Sequence, residues 1–292
     1  MNARPEPTVK ESSAPPHRMD WTPGRIGSFW DWWSRREIAA EEYFAHQAGA
    51  AVGWLLSQVA PSAGVARATG SRVLDFGCGP GHLVPHLLAT GALVHAADGS
   101  AAAVEAASGR FAGAPGWQGA SLIDRATGRA SFPDASLDVV CCLETIEHVR
   151  PDEAPALLAE IARLLAPGGR CLITTPNDEP LERSFVFCPE CGSEFHKVQH
   201  QSRWTGASLR AAVEGAGLRV DYCQGIDILN LAPKQPVPPW HWSVAYIARR
   251  WRESLAAQLD RAFPRPFPQG RVLARRTVPG PNLIAVATKE AP

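Results

Sequence analysis

Residues 73–81 read VLDFGCGPG: a short apolar run that closes on Asp75 and Phe76 and then breaks into Gly77, Gly79 and Gly81, spaced two apart. A strand over Arg72–Phe76 that gives way to a glycine-rich turn and then a helix is a natural ligand site. Glycines allow the tight turn and let a ligand approach the backbone, and the helix start supplies unpaired N–H groups. The turn is spaced G-x-G-x-G, whereas a dinucleotide-binding turn is spaced G-x-G-x-x-G. Asp75, two residues before the first glycine, is also a poor neighbour for a pyrophosphate. Asp98 closes the next apolar run, just before Gly99, where a carboxylate can accept both ribose hydroxyls. These features suit a positively charged nucleoside ligand and disfavour a nicotinamide-dependent oxidoreductase.

Outward from this loop the chain alternates between short apolar runs and longer helical periods. Helices are expected over 81–90, 101–112, 154–165 and 208–216, and strands over 93–97, 137–142, 170–174, 218–223 and 282–288. The continuous apolar run at 137–142 suits a central parallel strand covered on both faces. Pro167-Gly168-Gly169 supplies a helix stop. The fold class expected is α/β, a doubly wound, Rossmann-like, seven-stranded and mostly parallel sheet with right-handed crossovers. Residues 1–18 read as a disordered tail with almost nothing to bury. Residues 19–60 read as a helical cap rich in aromatics (Trp21, Phe29, Trp30, Trp32, Trp33, Tyr43, Phe44), packed on the core or acting as a lid. Residues 61–292 make the main domain, with insertions at 178–204 and 226–270.

The 292 residues carry 29 basic and 29 acidic side chains, so no global field recruits nucleic acid or a membrane. No stretch is long and apolar enough to span a bilayer, and the N-terminus does not resemble a secretory signal. Seven cysteines at uneven spacings do not make an extracellular disulfide framework, so a cytoplasmic location is expected.

The sequence resembles the class I S-adenosylmethionine-dependent methyltransferase superfamily. VLDFGCGPG (73–81), AADGS (96–100), FPDASLDVVCCLETIEHV (132–149) and LLAPGGRCLITTPN (164–177) carry the resemblance, in the family's order. It implies S-adenosylmethionine as cofactor, with Asp75 and Gly77, Gly79 and Gly81 around the methionine portion. Asp98 and Gly99 would hold the ribose, and backbone near Leu143 would shape the inner wall. At the third strand, where the family often has an Asp for the adenine amino group, this chain reads Gln118-Gly119-Ala120-Ser121, leaving Ser121 or Asp124 as substitutes.

Glu144, Glu147 and His148 follow the fourth strand at its C-terminal end, beside the crevice where such sheets bind ligands. On a helical turn, positions i, i+3 and i+4 share one face, so two carboxylates and an imidazole converge. That set suits a divalent cation, or His148 as a general base with Glu support. A plain surface turn with a locally bonded imidazole is the alternative. The Glu-x-x-Glu-His pattern resembles both the ubiquinone-pathway O-methyltransferases and the small-RNA 2′-O-methyltransferases. The resemblance implies a divalent ion there, with His200, ahead of Trp204-Thr205, as a fourth ligand.

Cys188-Pro-Glu-Cys191 followed by His196 and His200 has the form C-x2-C-x4-H-x3-H and suits tetrahedral zinc. His200 is thereby claimed by two sites. Either zinc takes Cys188, Cys191, His196 and a member of the Glu/His turn, or a structural zinc uses His200. Reduced loop cysteines beside unrelated histidines remain the plain alternative.

Between the last two strands, Trp240, Trp242, Tyr246 and Trp251 with Arg249, Arg250 and Arg252 fall in a Pro-rich stretch and a basic helix (243–263). They suit an acceptor-pocket wall, a membrane-surface helix or a homodimer contact, and equally plain packing. The function expected is O-methylation of a small-molecule or glycan hydroxyl, assisted by a divalent metal or a His base. RNA 2′-O-methylation is the rival within the same chemistry, disfavoured by zero net charge. A non-catalytic zinc-bearing binding module is the rival of another class.

Overall fold

A computed structural model describes residues 15–36, 41–59, 69–228 and 280–291, with isolated positions at 244, 247, 248 and 251. The expected Pro-rich stretch and basic helix lie almost wholly outside the described residues, and so does the tail up to residue 14.

In chain order the elements are β1 (His17–Arg18), α1 (Pro23–Ser34), α2 (Phe44–Val59), β2 (Arg72–Phe76), α3 (Val84–Leu88), β3 (Leu93–Asp98), α4 (Ala101–Phe111), β4 (Trp117–Leu122) and β5 (Leu137–Leu143). They continue with α5 (Ala154–Leu164), β6 (Leu165–Pro176), β7 (Phe185–Phe187), β8 (Ser193–His196), α6 (Gly206–Gly215), β9 (Arg219–Ile226) and β10 (Asn282–Thr288). Seven strands form one sheet in the order β4-β3-β2-β5-β6-β10-β9. All neighbours are parallel except β10, which runs antiparallel to both β6 and β9. The doubly wound, mostly parallel sheet expected from the sequence is therefore present.

β5 shows why its sequence reads as an unbroken apolar run. Val139 and Cys141 pack on one face with α2 and α3, while Val140 and Cys142 pack on the other with α5 and α6. A strand buried on both faces has no polar alternation to show. Local signals set the helix starts. Thr22 caps α1 ahead of Pro23, the Ser100 hydroxyl accepts the Ala103 N–H to open α4, and Thr205 with Ser208 closes a capping box on α6.

The structure departs from the sequence reading at three places. The first helix after the glycine loop is short, Val84–Leu88, because residues 79–83 are spent on the turn. α5 ends at Leu164, and Pro167-Gly168-Gly169 belongs to β6, where Gly168 and Gly169 bond to Lys289 across from β10. Residues 17 and 18 of the tail expected over 1–18 form β1 instead, which gains backbone partners along β8 in a second, three-stranded sheet, β1-β8-β7. Among the described residues, no helix is long and apolar enough to cross a membrane.

Candidate active site

The C-terminal ends of β2, β3 and β5 open onto one cavity of about 600 Å³, roofed by α1 and the start of α2. Gly77 (φ +80°) and Gly79 (φ +50°) turn the chain off β2 in the left-handed region. Side chains there would also collide: a Cβ on Gly77 would lie 2.4 Å from the Thr145 hydroxyl, and one on Gly79 2.8 Å from the Tyr43 ring. The Asp98 carboxylate holds the loop, accepting the Gly79 N–H at 2.8 Å and the Ser100 N–H at 2.7 Å. An ionised carboxylate offers about four lone-pair positions, so Asp98 can still accept from a ligand in the cavity. Asp75 lies buried at the end of β2. Burial, reinforced by the charge of Asp98, pushes its carboxyl up to about 8.

Asp75, Gly77, Gly79, Asp98, Gly99 and Leu143 all line this cavity, as does Asp124, whereas Ser121 does not. Gly81 departs from expectation. It is not among the residues that line the cavity, and a Cβ there would lie 2.7 Å from Phe111, so its lack of a side chain lets the loop pack on α4.

Across the cavity stand Glu144, Glu147 and His148. Residues 146–148 form a single 3₁₀ turn after β5, so the expected helical convergence is realised only in part. Ligand atoms of Glu147, His148 and His200 lie within 4.8 Å of one another. Glu147 is 1% exposed; one carboxylate oxygen accepts from the Thr175 hydroxyl at 3.0 Å. Glu147 Oε1, Glu144 Oε1 and His148 Nδ1 are buried with no hydrogen-bond partner among the described residues. Burial, and then repulsion by Glu144, pushes Glu147 well above the usual carboxylate range; burial pushes Glu144 up to about 7. Burial and the neighbouring His200 hold His148 well below the usual imidazole range. Two buried carboxylates crowded together, each with one oxygen unbonded, fit a cation.

The backbone is forced here as well. Among the described residues, four other than glycine have positive φ, and three of them are Glu144 (+44°), Asp178 (+55°) and Gln199 (+64°). Each conformation costs on the order of 1–2 kcal/mol, and such costs concentrate at functional sites. Gln199 shows the purpose. Its side chain accepts the Trp30 indole N–H at 2.6 Å and donates to the His148 carbonyl at 3.0 Å, tying α1 to the Glu/His wall.

The four-ligand zinc set expected from Cys188, Cys191, His196 and His200 is not assembled. β7 and β8 are antiparallel, with Phe187 opposite Glu194 and Phe185 opposite His196. The cysteines therefore sit in the turn that joins the strands, while the histidines lie toward the other end. Cys191 donates to the Ser193 hydroxyl at 3.1 Å, which also contacts the His17 ring at 3.2 Å. His196 and His200 meet Glu179 instead. All seven cysteines are free thiols.

A sequence profile of the methyltransferase domain family matches residues 44–222, from the start of α2 into β9. The chain belongs to that family. With its sheet order, this places the methyltransferase in the class I S-adenosylmethionine-dependent superfamily. Among its relatives, a ubiquinone biosynthesis O-methyltransferase of Xanthomonas oryzae pv. oryzae is 38% identical over 115 residues, 38% of this chain and 45% of that protein. One from Aeromonas salmonicida is 40% identical over 173 residues, 56% of this chain and 69% of that protein. The methyltransferase thus spans about half the length of the first of these relatives. A methyltransferase solved in complex with the Haloferax volcanii Trm112 methyltransferase activator shares the fold. It has a TM-score of 0.58 at 21% identity and covers 91% of this chain and 98% of its own.

Three contributors to the methyltransferase's site had no sequence signal. Asp31 on α1 bonds the Ser100 hydroxyl at 2.7 Å and the Arg125 guanidinium at 3.3 Å, latching the cap onto the Asp98 loop. Arg125 lies against Gly27 of α1, and Glu179 follows β6. Single charged residues on unrelated elements carry no spacing that could have marked them.

Proposed function

We propose that this methyltransferase moves the methyl group of S-adenosylmethionine to a hydroxyl of a small-molecule acceptor, with a divalent cation held by Glu144, Glu147, His148 and His200. One observation carries the reading. The orphaned carboxylate oxygens and the His148 imidazole open onto the same cavity as the glycine loop and Asp98, so donor and acceptor sides share one space. The cation would polarise the acceptor hydroxyl and lower its pKa.

The rest of the work falls to the chain. Asp98 would hold the ribose, the Gly77–Gly79 backbone would accommodate the methionine portion, and Asp75 would supply a carboxylate for the cofactor's positive charge. Aligning donor and acceptor supplies most of what the transfer needs, since the cofactor brings the reactivity. His148 suits a neutral ligand better than a general base: burial and the adjacent imidazoles disfavour its protonated form. A hydroxyl acceptor is supported by the relatives named as ubiquinone biosynthesis O-methyltransferases. A small acceptor rather than RNA is supported by the aromatic roof of Trp30, Trp33, Tyr43 and Phe44 and by the zero net charge.

The test is methylation of a metabolite extract with labelled S-adenosylmethionine, in the presence of EDTA, Mg²⁺ or Mn²⁺, for the native protein and Glu147→Ala. Label in an alkali-stable ether, restored by metal only in the native protein, is expected. Full activity in EDTA would refute the cation, and label on nitrogen or carbon would refute the hydroxyl.

A further inference from the structure

His200 lies between two groups: Glu147 and His148 on the cavity side, Glu179 and His196 on the other. Which of its ring nitrogens serves which side decides whether it can act in the cavity at all. The hydrogen bonds around Glu179 settle the question from His196 outward. His196 Nδ1 receives the backbone N–H of His200 at 3.2 Å and of Val198 at 3.4 Å, so that nitrogen carries a lone pair. In a neutral ring the proton is then on Nε2, which faces Glu179 Oε1 at 3.3 Å. The other oxygen of Glu179 meets His200 Nδ1 at 2.5 Å. An ionised carboxylate only accepts, so both imidazoles must present N–H to it. Each oxygen of Glu179 is thereby taken by one imidazole nitrogen. Glu179, His196 and His200 therefore form a satisfied hydrogen-bonded set rather than a second cation site.

We infer that Glu179 is a positioning residue, which commits His200 Nδ1–H to its carboxylate and leaves the Nε2 lone pair for the cavity side with Glu147 and His148. Two further features support the placement. Glu179 and His200 each follow a residue in the left-handed region, Asp178 and Gln199. The two segments are also tied by the Asn177–Trp204 bridge, the Asp178 N–H to the Trp204 carbonyl at 2.8 Å and Arg203 on Asp178 at 2.8 Å. His196 stacks on His200 with ring centroids 4.3 Å apart, which holds the plane of the His200 ring against Glu179. A carboxylate behind a ligating imidazole fixes its tautomer and raises its basicity. The consequence for ion affinity rests on the cation site proposed above, but the tautomer does not.

The experiment reads the two separately. Long-range ¹H–¹⁵N NMR of histidine-labelled full-length protein reports which nitrogen of His200 is protonated, with His200→Gln assigning the signal. Mn²⁺ affinity is measured on the same samples by EPR of the free ion. In native protein His200 is expected to be protonated on Nδ1 alone. Glu179→Ala should shift it toward the Nε2–H form and weaken Mn²⁺ binding roughly tenfold to a hundredfold. Glu179→Gln, which keeps the shape but satisfies only one imidazole, should move both readouts less in the same direction, and it secures the test if the alanine variant does not fold. An Nε2–H tautomer in native protein would overturn the inference, as would an unchanged tautomer in both variants. Native protein that binds no Mn²⁺ yet shows the Glu179-dependent tautomer would refute the cation reading and uphold this one. Mn²⁺ binding lost in Glu147→Ala but unchanged in both Glu179 variants would do the reverse.

Discussion

Removal of the Asp98 carboxylate tests the donor side most directly, because two consequences of different kind follow. In the protein without ligand, Asp98 accepts the Gly79 and Ser100 N–H groups at 2.8 and 2.7 Å. Asp98→Ala leaves both donors without their acceptor in a partly enclosed site. Such orphans cost about 1–3 kcal/mol each where water cannot reach them, and less where it can. A loss of about 2 kcal/mol would lower Tm by roughly 4–8 °C in a protein of this size. The second consequence concerns the ligand. A ribose hydroxyl bonded to a carboxylate is worth about 1.5–3 kcal/mol, so affinity for S-adenosylhomocysteine should fall roughly tenfold to a hundredfold. Asp98→Asn separates the two. It keeps one acceptor oxygen for the loop but points an amide N–H₂ at the other donor, so it should recover part of the stability and little of the affinity. Calorimetric titration with S-adenosylhomocysteine and thermal melts on both variants give the two numbers. Asp138→Asn serves as the control for stability alone, because Asp138 pairs with Arg72 at the far end of β2, at 2.8 Å. If both Asp98 variants bound the nucleoside as tightly as the native protein, Asp98 would not be the ribose ligand and the donor would be misplaced in the cavity.

Three further outcomes follow from the same geometry. Gly79→Ala must place a Cβ 2.8 Å from Tyr43 at φ +50°; at about 1–2 kcal/mol of backbone cost alone, a melt should show Tm lower by roughly 2–8 °C, and an unchanged Tm would mean that the loop relaxes freely. Asp75, raised to about 8 by burial and by Asp98, keeps its proton at neutral pH in the empty protein. A sulfonium beside it favours the carboxylate, so S-adenosylmethionine should release a proton on binding and bind more tightly as pH rises through that value, while neutral S-adenosylhomocysteine should not; identical pH slopes for the two ligands would contradict the placement. The sign for folding is opposite: the unfolded chain releases this proton at lower pH, so Asp75 subtracts stability as pH rises toward its folded value. Arg163→Ala removes the Arg163 partner that holds Glu160, which is 5% exposed, at 2.6 Å, and leaves it the Ala130 N–H and Arg129; it should cost about 1.5–3 kcal/mol in denaturant titration and leave nucleoside affinity unchanged.

Much of the donor side could be read along the chain because its parts are close in sequence. The loop at 77–81 follows directly on β2, and Asp98 is the last residue of the adjacent strand, so spacing alone conveys the geometry. Gly81 is the exception. Its spacing matches the two glycines before it, yet it serves packing against Phe111, and only the position of α4 distinguishes the two roles.

The acceptor side was legible in its residue types but not in its grouping. Cys188, Cys191, His196 and His200 have a spacing that zinc could use, and nothing local forbids it. What forbids it is strand pairing: an antiparallel hairpin puts residues near its turn and residues near its open end apart, however short the sequence between them. The same hairpin carries His196 to Glu179, and the bonds of Gln201 and Ser202 N–H to the Glu147 carbonyl bring His200 to Glu147 and His148.

The sequence by itself determined the sheet, the glycine loop, Asp98 and the Glu144–His148 turn, because periodicity and turn chemistry act over a few residues. Tertiary structure alone decided which partner each histidine faces, why Asp31 and Arg125 matter, and that the cap lines the cavity. Those outcomes depend on contacts between residues 17 to 169 positions apart, and no local pattern encodes such distances.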